Sequence, residues 1–341
     1  MRENISFKEE TKCDMFSKLD EMDIKELLLQ VNNFYLTYRN TLSLPNCLSF
    51  GCEIEYEGIE KQKTDRYVIE NLPEWKSKMD ETLRFKGGEV TSPKLYDKKE
   101  CWKELKEICH FLKEGNAIMT RNAGGHIHIG AHILECDHIL WRRFLKIYTA
   151  YEHILFRFGY ADKINARPKI LEHAFPIADK LHYQIPMIDG VDSFIEIKDF
   201  IPLDTKRQAV SFCNVRFLES DVFLKNTVEF RFPNATDEEV IWQNNINTFS
   251  KMMLAPKKEM FDEEFLDYKI KYQRVSSDCN YDLYHKVFLK SAFEFVDLVF
   301  DNNLDKIYFL RQYIKDFLET DNKMFAVEAK KFIKERTKGF F

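Results

Sequence analysis

Long apolar runs are missing from this 341-residue sequence. No stretch reaches the ~18 consecutive apolar residues of a membrane-spanning helix, so no membrane segment is expected. The opening stretch, MRENISFKEETKCDM, holds no apolar block, and no N-terminal secretion signal is expected. A strong charge of either sign is missing too. Lys and Arg total 51, Asp and Glu 56, and the formal net charge of −5 gives no long-range pull toward nucleic acid or anionic lipid. Paired cysteine spacings are absent: the eight cysteines include no CxxC. A secreted disulfide scaffold is denser, and a structural zinc site needs paired ligands. Reduced thiols in a cytoplasmic protein are therefore expected. There is no internal repeat and no low-complexity linker.

Glycine is scarce, and its placement carries information. Of the 11 glycines, eight lie between Gly51 and Gly130. Glycine permits tight turns and close backbone approach, so that stretch is expected to hold the turns and any close-fitting site.

With 45% hydrophobic and 31% charged residues, the chain is long and apolar enough to bury a sizeable core without staples. Apolar spacing predicts a helix over about 13–40, ended by Pro45. Strands are predicted over 48–58 and 85–95, then a helix over 99–114, a strand over 123–133 and a long helix over 137–158. Residues 161–206 hold four of the nine prolines and little periodicity. That pattern predicts an irregular substrate loop or lid, with Arg167, His173, His182 and Tyr183 as its candidate contacts. Two strands over 209–219 and 225–234 read as a hairpin. Thr236 and Glu239 fit a capping box that opens a helix running to Leu254. The region 280–335 reads as mostly helical. The division expected is a helical extension (1–46), a β-rich core (47–255) and a helical region (256–341), of α+β class.

Side chains two apart on a strand share a face. In Glu53-Ile54-Glu55, both carboxylates face one way while Cys52, Ile54 and Tyr56 face the other. His126 and His128 share a face, opposite Ile127 and Ile129. Glu229 and Arg231 share one, opposite Phe230 and Phe232. Glu89 and Thr91 pair in the same manner. Taken singly, each pair has an ordinary reading as a solvated face or a cross-strand ion pair. Together they give four strands with one apolar and one ionisable face. Clustered carboxylates repel unless neutralised, and a divalent cation does this directly. Oxygen ligands suit Mg²⁺ or Mn²⁺, and an imidazole is tolerated better by Mn²⁺. Arg231 beside Glu229 suggests a phosphate nearby.

The chain resembles the amidoligase family, carboxylate–amine ligases that share the core of glutamine synthetase and γ-glutamylcysteine synthetase. The resemblance rests on FGCEIEYEG, MDETLRFKGGEVTSPKL, GGHIHIG and NTVEFRFPNAT, in that order, within residues 48–255. It implies a curved antiparallel glutamine-synthetase-like sheet, packed against helices, whose concave face holds ATP and two or three Mg²⁺ or Mn²⁺ ions. By motif, Glu53, Glu55, Glu89, His126 and Glu229 match metal ligands. His128 and Arg231 match groups near the nucleotide phosphates, with catalytic roles. Asn214 matches an asparagine of the preceding strand, and Arg207 and Arg216 stand near basic positions, with Arg216 a candidate ATP contact. Asp80 fits the family's aspartate, although Glu81 stands where Gly is usual.

The chemistry implied is phosphorylation of a substrate carboxylate by ATP, then attack of an amine on the acyl phosphate to form an amide. The partners expected are a carboxylate and an amine, as small molecules, peptides or proteins; a homo-oligomer is left open. Two other readings stand beside it: a metal-dependent hydrolase built on His126 and His128, and a non-catalytic nucleotide- or metal-binding protein of the same fold.

Overall fold

The computed structural model describes residues 21–80, 83, 86–119, 122–160, 170–201, 207–276 and 286–314. In chain order its first half contains α1 (Glu21–Asn32), β1 (Ser49–Tyr56), α2 (Lys61–Asn71), β2 (Lys76–Lys78), β3 (Gly88–Thr91), β4 (Leu95–Tyr96), α3 (Lys99–Glu114) and β5 (Gly125–Gly130). There follow α4 (His138–Gly159), α5 (Ile170–His173), α6 (Ala178–Ile188), α7 (Phe194–Ile197), β6 (Val210–Ser211), β7 (Thr227–Phe230) and α8 (Glu239–Leu254). The last described elements are α9 (Glu263–Tyr272), α10 (Leu289–Val299) and α11 (Asn303–Ile314).

The strands form one open sheet in the order β2-β3-β1-β5-β7-β6, with β4 paired to β1, and every pairing is antiparallel. Alternation explains why it has two unlike faces. Cys52, Ile54, Ile127, Ile129, Phe230 and Phe232 all turn into the core. Helices cover that face. Phe249 of α8 stacks on Phe230 with ring centroids 4.3 Å apart, and Phe156 of α4 on Phe232 at 5.0 Å. Phe50 of β1 stacks on Trp102 of α3 at 4.8 Å. Each fully buried side chain of this size contributes about 1.5–3 kcal/mol over leaving it exposed.

α4 begins where Asp137 accepts the Ile139 N–H at 2.8 Å, an ordinary N-cap. From Phe144 to Gly159 it is buried all round, because α6, α9, α10 and α11 pack against it as well. A helix buried on every side must pair its polar groups. Lys146 meets Asp189, Glu263 and Asp267 at 2.7, 3.0 and 2.6 Å, and Arg157 donates to the Tyr313 carbonyl at 2.9 Å. One hydrophobic cluster runs from Leu28 to Ile314.

Three expectations need correction. Within the described residues the first helix ends at Asn32, not near 40. Residues 33–44 instead carry no regular secondary structure, with Arg39 N–H on Gln243 and Leu42 and Leu44 N–H on Asp97. The described part of 161–206 is not an irregular lid. Leu181, Ile185 and Ile188 of α6 are buried, and α6 packs against α4. Glu152 of α4 anchors this stretch by accepting the N–H groups of Ile177 and Ala178. Arg167 lies outside the described residues, while His173, His182 and Tyr183 belong to this packed stretch. The capping box is not formed. Thr236 accepts the Glu238 N–H, and Glu239 turns to Lys106 and His110 instead. The described part of the C-terminal region holds the helices α9, α10 and α11, and 277–285 and 315–341 lie outside the described residues.

Candidate functional site

Register turns the alternating faces into rows across the sheet. Glu53 lies between Thr91 and His126. One row further along, Glu89 lies between Lys78 and Glu55. On the other side, His128 lies between Gly51 and Glu229, with Ser211 beyond. Residues two apart on a strand are separated by roughly 6–7 Å, so long side chains of adjacent rows meet.

They do meet. His126 Nδ1 lies 3.2 Å from Glu53 Oε2 and 3.7 Å from Glu229 Oε1, and its Nε2 lies 3.5 Å from Glu55 Oε1. His128 Nε2 lies 3.1 Å from Glu53 Oε1, and its Nδ1 3.2 Å from Thr227 Oγ1. Arg231 donates to Glu229. Glu55 also accepts the Gly124 N–H at 2.5 Å, and Glu89 accepts from Thr91 Oγ1 at 2.6 Å. Glu55, His126, His128 and Glu229 are buried. The sheet therefore brings Glu53, Glu55, Glu89, His126, His128, Glu229 and Arg231 to one surface.

The electrostatics follow from that crowding. Burial alone would push the Glu53 carboxyl up, but hydrogen bonds and charge from His126 and His128 outweigh it and hold the group far below the carboxylate range. Burial would lower His126. The Glu55 charge, the hydrogen bond to Glu53 and the Glu229 charge prevail against it and against Arg231, so its pKa lies above the ordinary histidine value.

Two sets of donors have the spacing of a cation site. The ligand atoms of Glu53, His126 and Glu229 lie within 4.8 Å of one another, and so do those of Glu55, Asp80 and Glu89. Two carboxylates with one imidazole fit Mn²⁺ or Mg²⁺, and three carboxylates fit a hard divalent cation. Asp80 was assigned no ligand role from the sequence. It follows the three-residue strand β2, whose Lys-Ser-Lys shows no apolar alternation.

Beside Glu53 and His128 lies a cavity of about 490 Å³. Lys94, His132, Arg216 and Lys225 line it, and among the described residues Glu53 is its sole carboxylate. Arg216 is held there by its own hairpin: its Nε donates to the Leu224 carbonyl at 2.7 Å. Lys225 Nζ lies 3.6 Å from Glu53. Thr227 is not singled out by the sequence analysis, although strand alternation puts it on the face of Glu229, two residues on; Lys94 and Lys225 sit outside the strands and carry no periodic signal. Asn214 lies in a turn, not a strand, and its carbonyl accepts the Thr227 N–H at 3.3 Å. Arg207 is not among the lining residues of this cavity.

A family model described as "Putative amidoligase enzyme" matches residues 71–253, just over half of the chain. The match contains β3, β5 and β7 but begins after β1, so Glu53 and Glu55 join the site through strand pairing. No curated protein matches the chain. Among the described residues, no helix is long and apolar enough to cross a membrane.

Proposed function

The chain belongs to the amidoligase family, and from that membership we propose that it is an ATP-dependent carboxylate–amine ligase requiring Mg²⁺ or Mn²⁺. The observation that carries the reading is the convergence of two carboxylate-rich donor sets on one sheet face, with a basic cavity directly beside them. That is the charge pattern a metal-bound polyphosphate needs. Glu53, His126 and Glu229 would hold one cation, and Glu55, Asp80 and Glu89 a second. When bound, the cations supply charge neutralisation to the phosphates and orient them.

The residues of the chain then have distinct tasks. Lys94, Arg216 and Lys225 offer the phosphates cationic groups, and guanidinium suits paired phosphate oxygens. Arg231 and His128 lie where charge on a transferring phosphoryl group would be stabilised, the main catalytic demand of this chemistry. Thr227 at His128 Nδ1 fixes that ring's orientation. The substrate carboxylate takes the phosphoryl group, and the amine then displaces phosphate to give the amide, with no covalent enzyme intermediate required. We place the enzyme in the cytoplasm with a sheet of the glutamine-synthetase kind, acting on small molecules, peptides or proteins.

The test is ADP release measured with Mg²⁺ or Mn²⁺ across a panel of carboxylates and amines. ADP formation that depends on both partners supports the reading. ATP or ADP should also raise the melting temperature only when the cation is present, since a ligand selective for the folded state must stabilise it. Intact protein showing no such shift would overturn the proposal.

A further inference from the structure

A second cavity, of about 500 Å³, opens where the segment before β1, the end of α8 and the turn after α10 meet. It shares no lining residue with the cavity beside Glu53. Its apolar lining comes from the buried Leu44 and Val299, the half-buried Leu254 and the exposed Pro45. Its lining carries Lys251, Lys257 and Lys258 against, among the described residues, one carboxylate, the exposed Asp301.

The lysines are unequally satisfied. Lys258 pairs with Asp301 at 2.5 Å, and Lys257 reaches out of the cavity to Glu135 at 2.5 Å. Lys251 donates to the Ser43 carbonyl at 3.4 Å and has no carboxylate partner among the described residues. Lys306, the next cation along, is taken by Asp297 at 2.8 Å. Burial lowers the Lys258 pKa, Asp301 opposes that, and Lys306 and Lys251 push it down further. Positive charge is thus held at close quarters beside an apolar lining. Lysines near a helix C-terminus also complement its dipole, which accounts for Lys251 but not for the hollow beneath it.

We propose that this cavity binds a small organic anion: a carboxylate or phosphate head between Lys251 and Lys258, with a short apolar body on Leu44, Leu254 and Val299. Three separate chain segments line it, so occupancy fastens the N-terminal segment to α8 and the C-terminal helices. The proposal is independent of the ligase reading.

The test uses the full chain with hexanoate and hexyl phosphate as probes and hexanol as the uncharged control, by calorimetry and thermal melting. The expected result is saturable binding of at least one anion, which raises the melting temperature and weakens as salt is added. Hexanol should not reproduce it. Lys251→Met, which keeps the aliphatic stem, should weaken anion binding about tenfold. Leu254→Trp should block it by filling the cavity, and Lys225→Ala, in the other cavity, should leave it unchanged. Absence of saturable binding by the wild-type chain up to about 10 mM overturns the proposal. So does equal affinity in folded Lys251→Met, or loss in Lys225→Ala.

Discussion

Glu53 and His126 stand directly opposite one another across β1 and β5, with His126 Nδ1 3.2 Å from Glu53 Oε2. The same ring approaches Glu55 and Glu229, so one imidazole lies among three carboxylates from two strands, β1 and β7. Close carboxylates need a counter-charge. A protonated imidazole and a divalent cation are alternative ways of supplying it, and the sheet register makes both available at one point.

Glu53→Gln is therefore expected to preserve the fold and remove function. The side chain faces away from the core, and the amide still has His126 and His128 as partners. Mn²⁺ affinity, measured by titration calorimetry, should fall by about 10- to 100-fold or more. ATP turnover should disappear while the far-UV circular dichroism spectrum stays unchanged. A variant that unfolds would show the polar face to be structural, and the metal assignment would fail.

Asp80 separates the two cation sets. Asp80→Asn removes a charge from the Glu55, Asp80 and Glu89 set and leaves Glu53, His126 and Glu229 intact. Titration of the wild type with Mn²⁺ should resolve two steps, and in the variant one of them should weaken about tenfold. If both steps persist unchanged, the second set is an ordinary acidic surface.

Much of this site was legible because strand alternation is local. Glu53 and Glu55, or His126 and His128, must share a face whatever the rest of the chain does, once their segment is extended. Register is not local. That Glu55 lies opposite Glu89, and His128 opposite Glu229, follows from the order β3-β1-β5-β7, which no single segment encodes. Asp80 was recognised as a motif residue, but its position beside Glu89 depends on β2 pairing with β3. The supposed lid failed for a different reason. Pro176 and Pro186 are irregularity signals, but Leu181, Ile185 and Ile188 form a helical stripe that is buried. Pro186 sits inside α6, where it removes one backbone hydrogen bond, and burial of that stripe beside α4 offsets the loss.

Gly125 tests whether the histidines depend on a close backbone approach. A Cβ there would meet the Asn234 carbonyl oxygen at 2.7 Å and Trp242 Cη2 at 2.9 Å. The Gly125 N–H is also bound to the Pro233 carbonyl at 2.9 Å, so the strand has little room to retreat. Gly125→Ala should lose about 1–3 kcal/mol in urea unfolding and also weaken Mn²⁺ binding, because His126 is the next residue. Gly190→Ala, where the nearest atom is 3.5 Å away, is the control and should bind Mn²⁺ as the wild type does. Equal behaviour of the two variants would show that Gly125 is not what positions His126.

Away from the site, Glu263 ties α9 to α4 and should set part of the acid sensitivity of the fold. It accepts from Arg142, Arg143 and Lys146 at 2.7, 3.0 and 3.0 Å. Burial would raise its pKa, but the three cations outweigh that and hold it at about 2. A carboxyl depressed in the folded state takes up protons more readily when unfolded. Its contribution is therefore present above about pH 4.5 and is lost as the pH falls from there toward 2. The site is partly open to solvent, so after screening the contribution is on the order of 1–2 kcal/mol. Glu263→Gln should unfold at lower urea than the wild type at pH 7. The gap should begin to narrow below about pH 4.5, be smaller at pH 3, and close only as the pH falls to about 2 and below, where the folded wild type also comes to carry a neutral group. A gap that stays constant over this range would mean that packing, not charge, is what Glu263 supplies between α4 and α9.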